Sequence, residues 1–166
     1  GQATYRATGA EIGRPSGLAF LAEAYGKGGR VEEGLTVLAE ALTQVAKTGE
    51  RYYEAELWRL KGELTLQQEN QKAKGKGQKA KIESAPQSDA EACFLKAIEI
   101  AHGQQAKSLE LRAATSLARL WQQHQKQSEA HHMLSAIYAW FTEGFDTKDL
   151  QEAKALLHEL TNKARS

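Results

Sequence analysis

Three times along this chain a small residue, a large apolar residue and a further contact residue stand four and then three positions apart: Gly34, Leu38 and Ala41; Ala90, Phe94 and Ala97; Ala130, Leu134 and Ile137. On a helix such positions share one face. The small residues let a neighbouring helix come close while the large one fills the space between them. The distances between copies constrain the chain further. Ala41 to Ala97 is 56 residues and Ala97 to Ile137 is 40, and in the helices that precede these, Ala22 to Gly62 is 40 and Gly62 to Ala118 is 56. A 40-residue unit interrupted once by 16 extra residues accounts for both series, so the chain is a short array of one helical motif.

Each unit reads as two helices. In the first, residues 14–48, Pro15 suits an opening turn because its missing amide proton would have no intrahelical partner. Leu18, Leu21, Ala22 and Tyr25 follow at helical spacing until Gly26, Gly28 and Gly29 stop the run, and Val31 opens the partner helix. The connection is short, so the two helices run antiparallel. The second unit, 50–103, carries Leu57, Trp58, Leu60 and Leu64, and the third, 106–143, carries Leu111, Ala114, Leu117, Ala118 and Trp121, with Tyr138, Trp140 and Phe141 extending its second helix. After Glu143-Gly144, Asp146 or Thr147 caps a last helix over 147–163 with Leu150, Ala153, Leu156, Leu157 and Leu160 inward. Lys148, Gln151, Glu152, Lys154, Glu159 and Lys163 give it a polar outer face. Thr8-Gly9 repeats Thr48-Gly49, so residues 1–13 read as the remnant of a preceding unit, and the natural protein is expected to continue upstream.

The 16 extra residues fall within 70–87, where Lys72, Lys74, Lys76, Lys79 and Lys81 face only Glu83. This stretch reads as a flexible, solvated loop, after which Ser88 and Glu91 form a capping box that restarts the helix. Lengthening a turn from about four to about twenty residues costs only about 1.4 kcal/mol of closure entropy, so the hairpin tolerates it. The formal charge of +1 over 166 residues therefore divides unevenly, with 17 basic and 20 acidic residues outside the loop.

Two prolines and an abundance of alanine, leucine, glutamate, lysine and glutamine fix the fold class as all-α. No apolar run is long enough to cross a bilayer and no leader is evident, so the expected location is the cytoplasm. Cys93, the single cysteine, sits within an apolar helical pattern and reads as a buried small hydrophobe.

The stretches Glu54 to Lys61, Gln105 to Ala114, and Trp140 to Thr147 before Asp149-Leu150 resemble the C-terminal tetratricopeptide-repeat region of large bacterial signalling proteins. In these an ATPase module, often with an adenylate or guanylate cyclase or a protein kinase module at the N-terminus, precedes a long repeat array. The resemblance spans essentially the whole chain. It implies antiparallel hairpins stacked as a short right-handed solenoid with a C-terminal capping helix, and no catalysis in this region. The units exceed the common 34-residue repeat by about six residues, as do those of the related maltose-activator type of regulator.

No motif contradicts a non-catalytic role. A phosphate cradle, a nucleophile elbow and a zinc-binding His-Glu-x-x-His helix are all missing from the sequence. Gly26 to Gly29 follows a helix rather than a strand and reads as a helix stop. His131 and His132 are adjacent and diverge by about 100 degrees on a helix, and His102, His124 and His158 lie on separate elements, so no metal, cofactor or catalytic residue is expected.

By the resemblance, the first helix of each hairpin lines a concave groove. Register carries that role to Ser16, Ala19 and Glu23; Glu56, Arg59 and Glu63; and Arg112, Thr115 and Arg119. The lysine and asparagine clamp of the chaperone-tail-binding members is missing, since its positions hold Ala19 with Glu23 and Arg59 with Glu63. The expected function is protein or peptide binding and scaffolding, regulating an attached ATPase or cyclase. Two alternatives are a small-ligand sensor and a weak nucleic-acid contact through the lysine loop, whose lysines have no aromatic neighbours for base stacking. The N-terminal end, where Leu18, Leu21 and Tyr25 lack a covering unit, is expected to associate weakly with itself or with an upstream partner.

Overall fold

The computed structural model describes residues 14–75 and 86–165, and these are helical with no strand among them. The helices are α1 (Pro15–Lys27), α2 (Val31–Thr48), α3 (Glu54–Gly75), α4 (Pro86–Gly103), α5 (Lys107–Gln123), α6 (Gln127–Tyr138) and α7 (Lys148–Arg165). The all-α class expected from composition is what the chain adopts. No helix among the described residues is long and apolar enough to cross a membrane. The chain divides into two compact units, Gly1–Cys93 and Phe94–Ser166, with the division falling inside α4.

In the first unit Pro15 opens α1 behind an extended Arg14. The helix ends where Gly29 takes a left-handed backbone (φ 79) and the Arg30 amide donates 2.8 Å back to the Tyr25 carbonyl. That six-to-one closure satisfies an orphan carbonyl and reverses the chain, which sets α2 against α1. The α3 helix then packs on both, and Leu57, Leu60 and Leu64 join Leu18, Ala19, Ala22, Val31, Leu38, Ala41 and Val45 in one core.

The second unit repeats this plan. The Gln125 backbone is left-handed (φ 61), the Lys126 amide donates 2.8 Å to the Trp121 carbonyl, and α6 folds back on α5. Leu150, Ala153, Leu156 and Leu160 of α7 complete a core with Leu111, Ala114, Ala118, Ala130 and Leu134. Gly29 and Gln125 lie 96 residues apart, as do Ala22 and Ala118. Gly49 and Gln105, the left-handed residues that close α2 and α4, lie 56 apart, as do Ala41 and Ala97. Backbone conformation and buried stripe therefore share one register.

Three boundaries differ from expectation. The α3 helix does not give way to a loop at Asn70 but continues to Gly75. Its glutamines hold it to the α1–α2 turn, with Gln67 Nε2 donating 2.7 Å to the Gly26 carbonyl and Gln71 Nε2 donating 3.4 Å to that of Gly29. The α4 helix starts at Pro86, so Ser88 stands inside the first turn instead of at the cap. The α6 helix ends at Tyr138 rather than Glu143, because the Trp140 and Phe141 amides close tight turns onto Ile137 and Tyr138. Of the two candidate caps for α7, Thr147 serves, its Oγ1 accepting from the Leu150 amide at 3.4 Å. The remnant 1–13 and loop residues 76–85 lie outside the described residues.

Candidate functional site

The positions expected to face a groove follow from helical register along α1, α3 and α5. On α1, Ser16 is half-buried, Glu23 is partly exposed and pairs with Lys27 at 3.5 Å, and Ala19 is buried in the core rather than presented at the surface. On α3 the three expected residues form one network. Both oxygens of Glu56 accept from Arg59, at 2.9 Å from Nε and 2.6 Å from a terminal nitrogen, and a further Arg59 nitrogen stands 3.7 Å from Glu63. Glu56 is only 3% exposed, so its bidentate pair is a fixed part of the unit and not a group offered to a partner. One helical turn away, Lys61 lies 4.9 Å from the centre of the Trp58 ring.

The face of the first unit is thus acidic. Glu23, Glu56 and Glu63 outnumber Lys27 and Arg59, and the two carboxylates that reach solvent are those of Glu23 and Glu63, each about two-fifths exposed.

The second unit uses the corresponding positions differently. Arg112 donates to Asp149 at 2.9 Å, Arg119 to Glu152 at 3.4 Å, and Gln122 to Glu159 at 3.4 Å, which makes a polar ladder between α5 and α7. Thr115, the middle residue of this expected set, is buried and gives its hydroxyl proton to the Leu111 carbonyl at 2.8 Å. Glu152 and Glu159, expected on the outer face of α7, turn toward α5 instead. Their spacing from Arg119 and Gln122, 33 and 37 residues, is just short of one repeat, a signal legible only once the register is known.

A second polar cluster went unforeseen. Glu110 is buried at the start of α5, with Lys107 Nζ at 3.2 Å and His102 Nδ1 at 3.2 Å. Lys107 also stands 5.4 Å from the centre of the Trp140 ring, and Trp140 meets Phe141 edge-on at 5.3 Å. Arg51 and Glu54, 56 residues earlier, make the same ion pair at 3.1 Å, so this is a repeated device at the entry to a first helix. Trp140 has no counterpart in the first unit and no periodic signal announces it.

Cys93 is buried, as expected. Burial pushes its thiol up, and the nearby Lys61 offsets only part of that shift, so the thiolate is scarce at neutral pH. No group of three or more His, Cys, Asp or Glu residues suited to a metal occurs among the described residues. Comparison with protein-family models, with curated proteins and with solved structures returned no match.

Proposed function

We propose that this chain is a tetratricopeptide-type repeat module that binds a protein or peptide segment and has no chemistry of its own. In this reading it serves as a regulatory part of a larger signalling ATPase or cyclase. The observation that supports the repeat reading is a shared register: the left-handed turn residues and the buried stripes recur at 96 and 56 residues, and the six-to-one closure of Arg30 onto Tyr25 recurs 96 residues on as Lys126 onto Trp121. A motif repeated with this fidelity is a scaffold whose exposed first-helix faces are available for contact. The polar ladder of the second unit is satisfied within the unit. The acidic face of the first unit, with Glu23 and Glu63 at the surface, is the better contact surface, and its chemistry suits a segment rich in lysine or arginine.

A peptide array probed with the full chain tests this. Basic peptides should bind, the binding should weaken at raised salt, and Glu63→Lys should abolish it without changing the helical circular dichroism. Peptides that bind equally well to the Glu63→Lys variant, or no binding above background, would contradict the proposal.

A further inference from the structure

On the outward face of α1 the repeated burial pattern is broken. Moving along the register from Gly17, Phe20 and Ala24 leads to Leu57, Leu60 and Leu64 on α3, to Ala113, Ser116 and Leu120 on α5, and to Ala153, Leu156 and Leu160 on α7. All nine of these later residues are buried. On α3 they belong to the core made with α1 and α2, and on α7 three of them belong to the core made with α5 and α6. On α3 and on α7 the covering elements are the helix pair immediately before. On α1 the same face is largely uncovered by the described residues: Phe20 is 69% exposed, Ala24 is exposed, Gly17 is half-buried, and Leu21 is exposed beside them.

The opposite end of the register is treated differently. Pro15, Leu18 and Ala22, all buried on α1, correspond to Gln151, Lys154 and His158 on α7, which are exposed and polar. A face meant for water thus carries polar residues here, whereas the α1 face carries an aromatic between two small residues. That is the pattern by which this chain buries one helix against another. The polar face of α7 also makes a head-to-tail copy of the same chain a poor occupant.

We propose that Gly17, Phe20 and Ala24 form a docking surface for an antiparallel helix pair of this same repeat type, seated on α1 as α1 and α2 are seated on α3. The inference rests on the repeat reading and adds to it the site where the array accepts a further unit. The occupant is defined by its chemistry: two amphipathic helices, the second bearing a small, large, small stripe like that of Gly34, Leu38 and Ala41.

The test uses the full chain with residues 9–48 duplicated in tandem after Thr48. The inserted copy then places a second α1 directly behind α2, while the original α1 stays uncovered. Phe20→Glu in the inserted copy should lower the melting temperature by about 10 °C, the effect of burying an uncompensated charge in a domain of this size. The same substitution in the original copy should shift it by no more than about 2 °C. Amides of the inserted α1 should also be more protected from hydrogen exchange than those of the original. An inserted repeat that adds no helix by circular dichroism would overturn the repeat reading itself. One that folds while both Phe20→Glu variants behave alike would overturn the docking surface alone. Sedimentation of the unmodified chain supplies a second arm: with Leu18 buried and α7 polar on its outer face, a monomer is expected in place of the weak self-association read from the sequence, and a dimer that Phe20→Glu dissolves would assign the face to a second copy and overturn the proposal.

Discussion

Leu64 fills the space that a side chain on Gly34 would need: a Cβ built on Gly34 would stand 2.9 Å from Leu64 Cδ1 and 3.1 Å from the Ala22 carbonyl oxygen. The glycine lets three helices meet at one point, since α1 supplies the carbonyl, α2 the glycine and α3 the leucine. Leu64 can turn aside, but the backbone carbonyl cannot.

Two opposing effects decide what Gly34→Ala does. Alanine gains about 1 kcal/mol of helix propensity over glycine, while overpacking a tight contact costs about 1 to 3 kcal/mol. The net expectation is a loss of about 1 kcal/mol. Leu64→Ala costs about 2 to 5 kcal/mol by itself, but in the double variant the alanine methyl occupies part of the vacated space. Urea unfolding of the four proteins should therefore give a double variant more stable than the sum of the single losses by at least about 0.5 kcal/mol.

The left-handed turn residues give a prediction of opposite sign. Gln105 and Gln125 hold backbone angles that glycine adopts without strain, and Gly49 and Gly29 hold them at the matching positions. Replacing Gln125 with glycine should stabilise the chain by about 0.5 to 1 kcal/mol. The same change at Gln44, inside α2, should destabilise it by a similar amount. Thermal unfolding of the two variants checks both signs.

Arg112 and Asp149 join α5 to α7 through a pair that is about one-third exposed on each side. Such a pair is worth little. A double-mutant cycle with Arg112→Ala and Asp149→Ala should return a coupling of about 0.5 to 1 kcal/mol, shrinking in 1 M salt. A coupling that salt leaves unchanged would mean that the pair is screened from solvent and that the ladder has a larger part in holding α7.

What was legible in the sequence and what was not follow from the same physics. The buried stripes were readable because each apolar face repeats at helical spacing and again after 40 residues, or 56 across the insertion, so Leu38, Phe94 and Leu134 announce one another. The continuation of α3 to Gly75 was not, because Gln67 and Gln71 hold it through side-chain bonds to the carbonyls of a turn some forty residues earlier. A polar helix tail secured in that way has the composition of a loop. The groove residues were legible only as positions. That Glu56 would be buried against Arg59, and that Arg112 and Arg119 would reach acids on α7, depends on rotamers and on a helix more than thirty residues away. Phe20 carries the converse lesson: its helical spacing matches that of buried residues elsewhere, and only the structure shows it uncovered.

The central claim is that one register governs how these helices pack, and the equivalent alanines Ala41 and Ala97, both fully buried, test it most directly. Urea unfolding of Ala41→Leu and Ala97→Leu should show losses of about 1 to 3 kcal/mol at both sites, because a leucine at either overfills a close helix contact. The exposed neighbours Glu40 and Lys96, replaced by leucine in the same way, should change stability by no more than about 0.5 kcal/mol. Losses at both alanines with neutral neighbours support a repeated packing face. An Ala97→Leu variant as stable as the parent, or a Lys96→Leu variant as damaged as Ala97→Leu, would contradict it.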